Sequence, residues 1–198
     1  MNLTDEITVV PGIGSIMAGK LAKLDIHSVF DLLYHIPFRY EDRRLISPAR
    51  QVQMGESVTV VGTISAVKNV FTKNGKRLQT ATITDTSGSL NVIWFNQTFL
   101  SRVFASATQV ALFGKVDFFN KKPALISPEY ELTSPELDSL HLRRIVPVYP
   151  ETAGLSSKWL RSKIYTLLHS DGFASLLTAF GQETTPGTKL ALQNIHFP

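Results

Sequence analysis

The sequence predicts an α+β fold in which a small β-barrel is bracketed by helices, and three observations carry that prediction. Hydrophobic spacing is helical from Val10 to Ile36. It switches to a period of two, with β-branched enrichment, from Gly55 to Leu132, and returns to helical spacing after Ser156. At 198 residues with 43% hydrophobic content, the chain can bury one sizeable core with appendages.

In the N-terminal stretch Ile13, Met17, Leu21 and Leu24 recur at helical spacing after Pro11-Gly12-Ile13-Gly14. That turn has the glycines of a helix-hairpin-helix element, where backbone must approach closely. It suits a two-helix brace packed on the rest of the chain or, alternatively, a direct phosphate contact. Ser28, with Asp31 three residues on, has the form of a capping box opening a second short helix through Leu32 and Leu33, which Pro37 ends. Phe38 to Met54, with Arg39, Arg43, Arg44, Pro48 and Arg50, reads as a polar, basic linker, so the first segment is residues 1–54.

Five strands follow within residues 55–132. Val58, Val60 and Ile64 alternate with Thr59, Val61 and Thr63; Leu78–Thr84 comes after a loop, and Leu90–Phe95 after the turn Asp85-Thr86-Ser87-Gly88. A helix-like piece from Gln97 to Phe104 precedes Val110–Phe119 and Ala124–Tyr130. Five strands with a helix between the third and fourth is the order of an OB-type barrel. Residues 133–198 read as a linker and C-terminal helices. Ser156 is the N-cap of Ser157–His169, striped by Trp159, Leu160, Ile164, Leu167 and Leu168, and a weaker helix runs from Phe173 to Phe180.

Composition limits the chemistry. There is no cysteine, so disulfides, thiolate metal sites and cysteine nucleophiles are excluded. No signal-peptide pattern or membrane-length apolar run is present, and a cytoplasmic protein is expected. The five histidines are dispersed without metal spacing, and no G-x-S-x-G occurs, so neither a metal site nor catalytic residues are expected. Gly14–Lys20 has the G-x-x-x-x-G-K spacing of a phosphate loop. Leu21 then stands where Ser or Thr would ligate magnesium, and the strand-loop-helix setting is missing, so no cofactor is assigned to this chain.

Net charge is +4, and its distribution is uneven. Between Glu56 and Tyr130 the acidic residues are Asp85, Asp117 and Glu129, against Lys68, Lys73, Lys76, Arg77, Arg102, Lys115, Lys121 and Lys122. An OB barrel binds oligonucleotides on the face flanked by its first and fourth loops. Both loops are basic here, one holding Lys73, Lys76 and Arg77, the other Lys121 and Lys122. These residues, with Arg102, are the candidate phosphate contacts. Lysines are also common in exposed hairpins, so the coincidence on both loops is what points to nucleic acid.

Alternation puts Leu90, Val92 and Trp94 on one face of the third strand and Asn91, Ile93 and Phe95 on the other. If the Trp94 face lines the barrel, Phe95 emerges at the surface with Phe99 four residues on, as a base-stacking pair. The alternative is that both rings pack beneath the flanking helices.

Several runs taken in order resemble one family. Val10-Pro11-Gly12-Ile13-Gly14, Lys20-Leu21-Ala22-Lys23-Leu24 and Ser28 through Arg43 are similar to the start of RecG-type ATP-dependent DNA helicases. Trp94-Phe95-Asn96-Gln97, Ile145-Val146-Pro147-Val148-Tyr149-Pro150 and Gly154-Leu155-Ser156 resemble that family's wedge domain and its exit toward the motor. The resemblance implies a wedge docking on branched DNA, at stalled replication forks and Holliday junctions in repair and recombination. Phe95 and Phe99 fall at the positions of the pair that caps the parted bases. The second position often carries tyrosine in that family, so Phe99 keeps the stacking face and lacks the hydroxyl. It further implies a helicase motor beyond Pro198, holding ATP and Mg²⁺, as a partner of this non-catalytic, monomeric piece. A generic single-strand-binding OB module and an OB-type protein-interaction domain are the alternative functions.

Overall fold

A computed structural model describes residues 1–72, 75, 77–104, 108–133, 141, 143–170, 173 and 186–198. In chain order its elements begin with α1 (Ser15–Leu21), α2 (Val29–Leu33), β1 (Arg39–Asp42), β2 (Ser57–Ile64), β3 (Lys68–Phe71), β4 (Arg77–Thr84) and β5 (Ser89–Phe95). They continue with α3 (Leu100–Val103), β6 (Thr108–Phe119), β7 (Lys122–Leu132), β8 (Ile145–Val148), α4 (Ser157–Leu168) and α5 (Pro186–His196). The chain divides into two compact units, Met1–Glu41 with Ile145–Pro198, and Asp42–Arg144. Of the helix expected over residues 173–180, only Phe173 lies within the described residues.

The first unit is built on helix signals visible in the sequence. Ser28 Oγ accepts from the Asp31 amide (3.2 Å) and Asp31 Oδ2 accepts from the Ser28 amide (2.9 Å), a closed capping box that starts α2. Ser156 Oγ accepts from the Trp159 amide at the head of α4. Gly12, at φ +78°, makes the turn before α1 in a conformation that side-chain-bearing residues rarely adopt. Leu21, Ile26, Val29, Leu32 and Leu33 pack with Leu160, Ile164, Leu167 and Leu168 in one core, while Trp159 is only half-buried.

His196 locks α5 into this unit. Its Nε2 lies 2.8 Å from the Leu33 carbonyl, which can only accept, so Nε2 carries the proton and Nδ1 accepts from the Tyr149 hydroxyl at 2.7 Å. Burial holds His196 below its ordinary range, against the raising effect of the Leu33 bond, and burial likewise lowers His35. Burial also raises the Tyr149 phenol, so the hydroxyl stays a donor.

The second unit is a closed barrel. Its sheet runs β2-β6-β7-β5-β4-β3, and a further β2–β4 pairing (Thr63↔Thr84, Ile64↔Ile83) joins the two ends. All pairings are antiparallel except β5–β7. Part of the loop expected after Ile64 is strand: Asn69, Val70 and Phe71 lie in β3, and the register against β4 slips by one residue between Ile64↔Ile83 and Lys68↔Thr80, a bulge that separates β2 from β3. At the closure Gly62 is obligatory, because a Cβ there would collide with the Thr84 carbonyl. Inward residues Val58, Val60, Ile64, Ile83, Leu90, Val92, Trp94, Val110, Leu112, Val116 and Leu125 form the core, and Leu100 and Phe104 bring α3 against it.

The polar stretch expected as a linker up to Met54 is not free. Arg43 is buried, with Nη1 donating to the His141 carbonyl (3.0 Å), Nη2 to Glu129 Oε1 (2.9 Å) and the guanidinium 4.1 Å from the Phe113 ring centroid. Ser47 N donates to the Thr59 carbonyl and Ala49 N to Asp85 Oδ2, so residues 43–49 are bonded onto the barrel.

Two outcomes follow. Gly62→Ala should lower unfolding free energy by about 1–3 kcal/mol, the usual cost of forcing backbone apart, as read by urea denaturation. Because His35 and His196 are depressed by burial, the unfolded chain binds more protons than the native one below the ordinary histidine pKa of about 6.5. Stability should therefore be full above that pH and fall as pH drops through it, and replacing both histidines by glutamine should flatten the dependence in denaturation curves taken on either side.

Candidate nucleic-acid interface

The rim of the barrel is set by Trp94. Its side chain is wholly buried, stacked on Phe104 at 6.1 Å between centroids, and its Nε1 donates to the Pro128 carbonyl at 2.9 Å. Pro128 sits where the β6–β7 register shifts between Phe113↔Glu129 and Lys115↔Ile126. The irregularity on β7 thus supplies the acceptor that a buried indole requires. With Trp94 turned inward, alternation turns its neighbour outward, and Phe95 is 41% exposed. Phe99, at the N-cap of α3, is 52% exposed.

Between these two rings the chain is held by a polar network that the sequence did not announce. Gln79, fully buried, accepts from the Gln97 amide through Oε1 (2.7 Å) and donates through Nε2 to Asn69 Oδ1 (3.0 Å). Asn69 Nδ2 donates to Ser101 Oγ (3.2 Å), and Ser101 Oγ donates to the Thr98 carbonyl (2.9 Å). The Asn96 amide donates to the Arg77 carbonyl, with Asn96 at φ +57°. Asn69, Gln79, Asn96, Gln97, Thr98 and Ser101 therefore fix the Phe95–Phe99 loop from three elements. The available signal was a glutamine at an inward position of the Leu78–Thr84 strand.

The expected basic residues fall into two groups. Arg77 is at the start of β4, its carbonyl bonded into the loop, and Arg102 lies one helical turn from Phe99, its amide bonded to the Phe99 carbonyl; both side chains are exposed. Lys121 and Lys122 are exposed at the β6–β7 hairpin, whose turn residues Asn120 and Lys121 have φ +50° and +64°, the conformation of a two-residue type I′ turn. Parallel pairing sets Ala124 opposite Asn91, so this hairpin is level with the start of β5, while Phe95 ends that strand. Six residues of extended chain put about 20 Å between the two groups. Lys73 and Lys76 lie outside the described residues. On the side of the sheet opposite Trp94, Leu78, Ile93 and Ala124 are buried in a small apolar cluster with the partly buried Phe119 and Ile126.

Gly14–Lys20 lacks the strand-loop-helix setting of a phosphate loop. The residues before it, Ile7–Val9, form a 3-10 turn rather than a strand, and Lys20 Nζ donates to the Gly154 carbonyl (3.1 Å). Among the described residues no cluster of three metal-ligating side chains occurs, and no helix is long and apolar enough to cross a membrane.

A closed barrel of this strand order, with a helix before the fourth barrel strand and aromatic and basic side chains at its rim, is an OB-fold module of the kind that accommodates nucleic acids. The chain belongs to the RecG wedge domain family, whose model matches residues 6–170. It is 32% identical to the ATP-dependent DNA helicase RecG of Escherichia coli K12, over 97% of this chain and 28% of that protein. It is 31% identical to that of Thermotoga maritima, over 100% of this chain and 26% of that protein. The chain thus spans just over a quarter of the length of these relatives. A solved structure of RecG bound to a three-way DNA junction is 28% identical and superposes with a TM-score of 0.80, covering 100% of this chain and 28% of that one.

Replacing Gln79 by leucine should strand the Gln97 amide and Asn69. The expected cost is about 1–3 kcal/mol in chemical denaturation, with faster hydrogen exchange at Gln97.

Proposed function

We propose that this chain recognises branched DNA as the wedge of a RecG-type helicase, with Phe95 and Phe99 stacking on the terminal bases of the parted arms. The observation that carries the reading is the exposure of both rings, on a loop anchored from three elements, beside the exposed Arg77 and Arg102. A stacking surface competes with base-on-base stacking only if it is already in place, since ordering it on binding would consume the gain of about 1–3 kcal/mol per base. The wedge needs no chemistry of its own. An attached motor, which in the relatives would use ATP and Mg²⁺, pulls duplex against a fixed obstacle and the strands separate mechanically. The RecG structure bound to a three-way junction supports the choice of branched over single-stranded DNA.

Arg77 and Arg102 then hold phosphates at the junction, and Lys73 and Lys76, close to Arg77 in sequence, are further phosphate contacts in this reading. Lys121 and Lys122, about 20 Å away along β5, touch a different stretch of backbone.

Phe95→Ala with Phe99→Ala should erase preference for a three-way junction over linear duplex in competition binding; retention of that preference would sink the assignment. Equal affinity for an unbranched single strand in the same titration would favour the single-strand-binding alternative, and salt-insensitive binding the protein-docking one. Arg77→Ala with Arg102→Ala should reduce the slope of log affinity against log salt by about 2, each lost phosphate contact removing roughly one released counterion. Lys121→Ala with Lys122→Ala should weaken binding to long-armed junctions while sparing short-armed ones.

A further inference from the structure

The β6–β7 hairpin, at the end of β5 away from Phe95, carries an exposed aromatic ring, Phe118, that the wedge reading leaves without a role. Val116 and Leu125 pair across this hairpin and are wholly buried in the barrel core. Phe118 and Pro123, the pair two residues nearer the turn, therefore continue the same face, but they lie outside the core and are exposed, Phe118 to 62%. The other face of the hairpin is anchored. Phe119 packs against the cluster of Leu78, Ile93 and Ala124, and its partner Lys122 is exposed on that face. Asp117, the acidic residue of the hairpin, belongs to that face as well, and its Oδ1 accepts from the Phe118 amide at 2.7 Å.

The turn itself gives up stability to place a cation at the tip. Asn120 and Lys121 have φ +50° and +64°. Asparagine tolerates this conformation and glycine is favoured at the second position, whereas a lysine there crowds its Cβ against the backbone. Strain of this kind is kept where the strained residue has work to do.

A ring and a proline on one face, with lysines at the tip and on the opposite face, match the chemistry of minor-groove binding, in which Phe or Pro wedges against a base step while cations meet the backbone. Neither Phe118 nor Pro123 has a side-chain donor or acceptor with which to read a base edge in the major groove. Phe95 stands about 20 Å away along β5, which corresponds to about six base-pair steps of duplex.

We infer that the β6–β7 hairpin is a minor-groove contact on a duplex arm, about six base pairs from the branch point. Phe118 lies against a base step, and Lys121 and Lys122 meet the phosphates of the two strands that wall the groove. The inference rests on the proposed branched-DNA reading and adds to it the duplex leading away from the junction.

The test uses the 198-residue chain and three-way DNA junctions carrying 2-aminopurine at successive base pairs of each arm. Fluorescence should rise on binding at a position about six base pairs from the branch on one arm, where Phe118 loosens the stack. Phe118→Ala should abolish that rise and weaken binding to long-armed junctions by about tenfold, the scale of one lost ring contact, while preference for a junction over linear duplex is kept. Phe118→Leu should restore both signal and affinity, since an aliphatic side chain can also wedge a base step. Lys121→Gly should raise the urea midpoint by relieving the turn, yet weaken the same binding and lower the slope of log affinity against log salt by about 1. If no arm position responds, or Phe118→Ala leaves signal and affinity unchanged, the site is overturned and the ring is left to a protein partner. Lys121→Gly that stabilises the chain without loss of affinity overturns it too. Absence of junction preference in the unsubstituted chain is a separate result, which ends the branched-DNA reading itself.

Discussion

Everything presented at the rim depends on the burial of one indole whose N–H finds an acceptor inside the barrel. Trp94 is the largest fully buried side chain, and its hydrogen bond to Pro128 removes the penalty of about 1–3 kcal/mol that an unsatisfied buried donor would carry. Strand geometry does the rest: a period of two leaves the next side chain no choice of face. Phe95 is outside because Trp94 is inside. A one-residue slip of β5 would bury Phe95, expose the indole and undo the interface together with the core.

The second layer of control is polar. Gln79 and Asn69 tie β3, β4 and α3 to the loop carrying Phe99, and each hydrogen bond lies between 2.7 and 3.2 Å. A buried glutamine is costly unless its amide is paired, and here both ends are used. The stacking loop is thus held by an interior group rather than by its own exposed side chains, which are left free for a ligand. The proposed wedge needs a rigid obstacle, and Gln79 and Asn69 supply that rigidity from within.

Charge acts at shorter range than the barrel is long. With a Debye length of about 8 Å at physiological ionic strength, groups about 20 Å apart attract phosphates independently. Arg77 and Arg102 at one end of β5, and Lys121 and Lys122 at the other, are therefore two separate positive groups rather than one patch. The small buried cluster of Leu78, Ile93 and Ala124 lies between them along the sheet.

Local chemistry made much of this legible in the amino-acid order. The capping serines Ser28 and Ser156, the turn at Gly12, the alternation through Trp94 and Phe95 and the hairpin at Asn120-Lys121 depend on neighbours within a few residues, so pattern alone determined them. Other features depend on partners far along the chain. Arg43 reads as solvated until Glu129 and the His141 carbonyl surround it, and Asn69 to Phe71 read as loop until pairing with β4 makes them a strand. Asn69 and Gln79 look like ordinary loop and strand residues until the ladder brings them to Ser101 and Gln97. Sequence by itself determined which rings and charges exist and that Trp94 and Phe95 take opposite faces of one strand, because side-chain alternation is a local property. Only the tertiary structure decided which of them stand together at one rim, because that depends on how distant strands come into register.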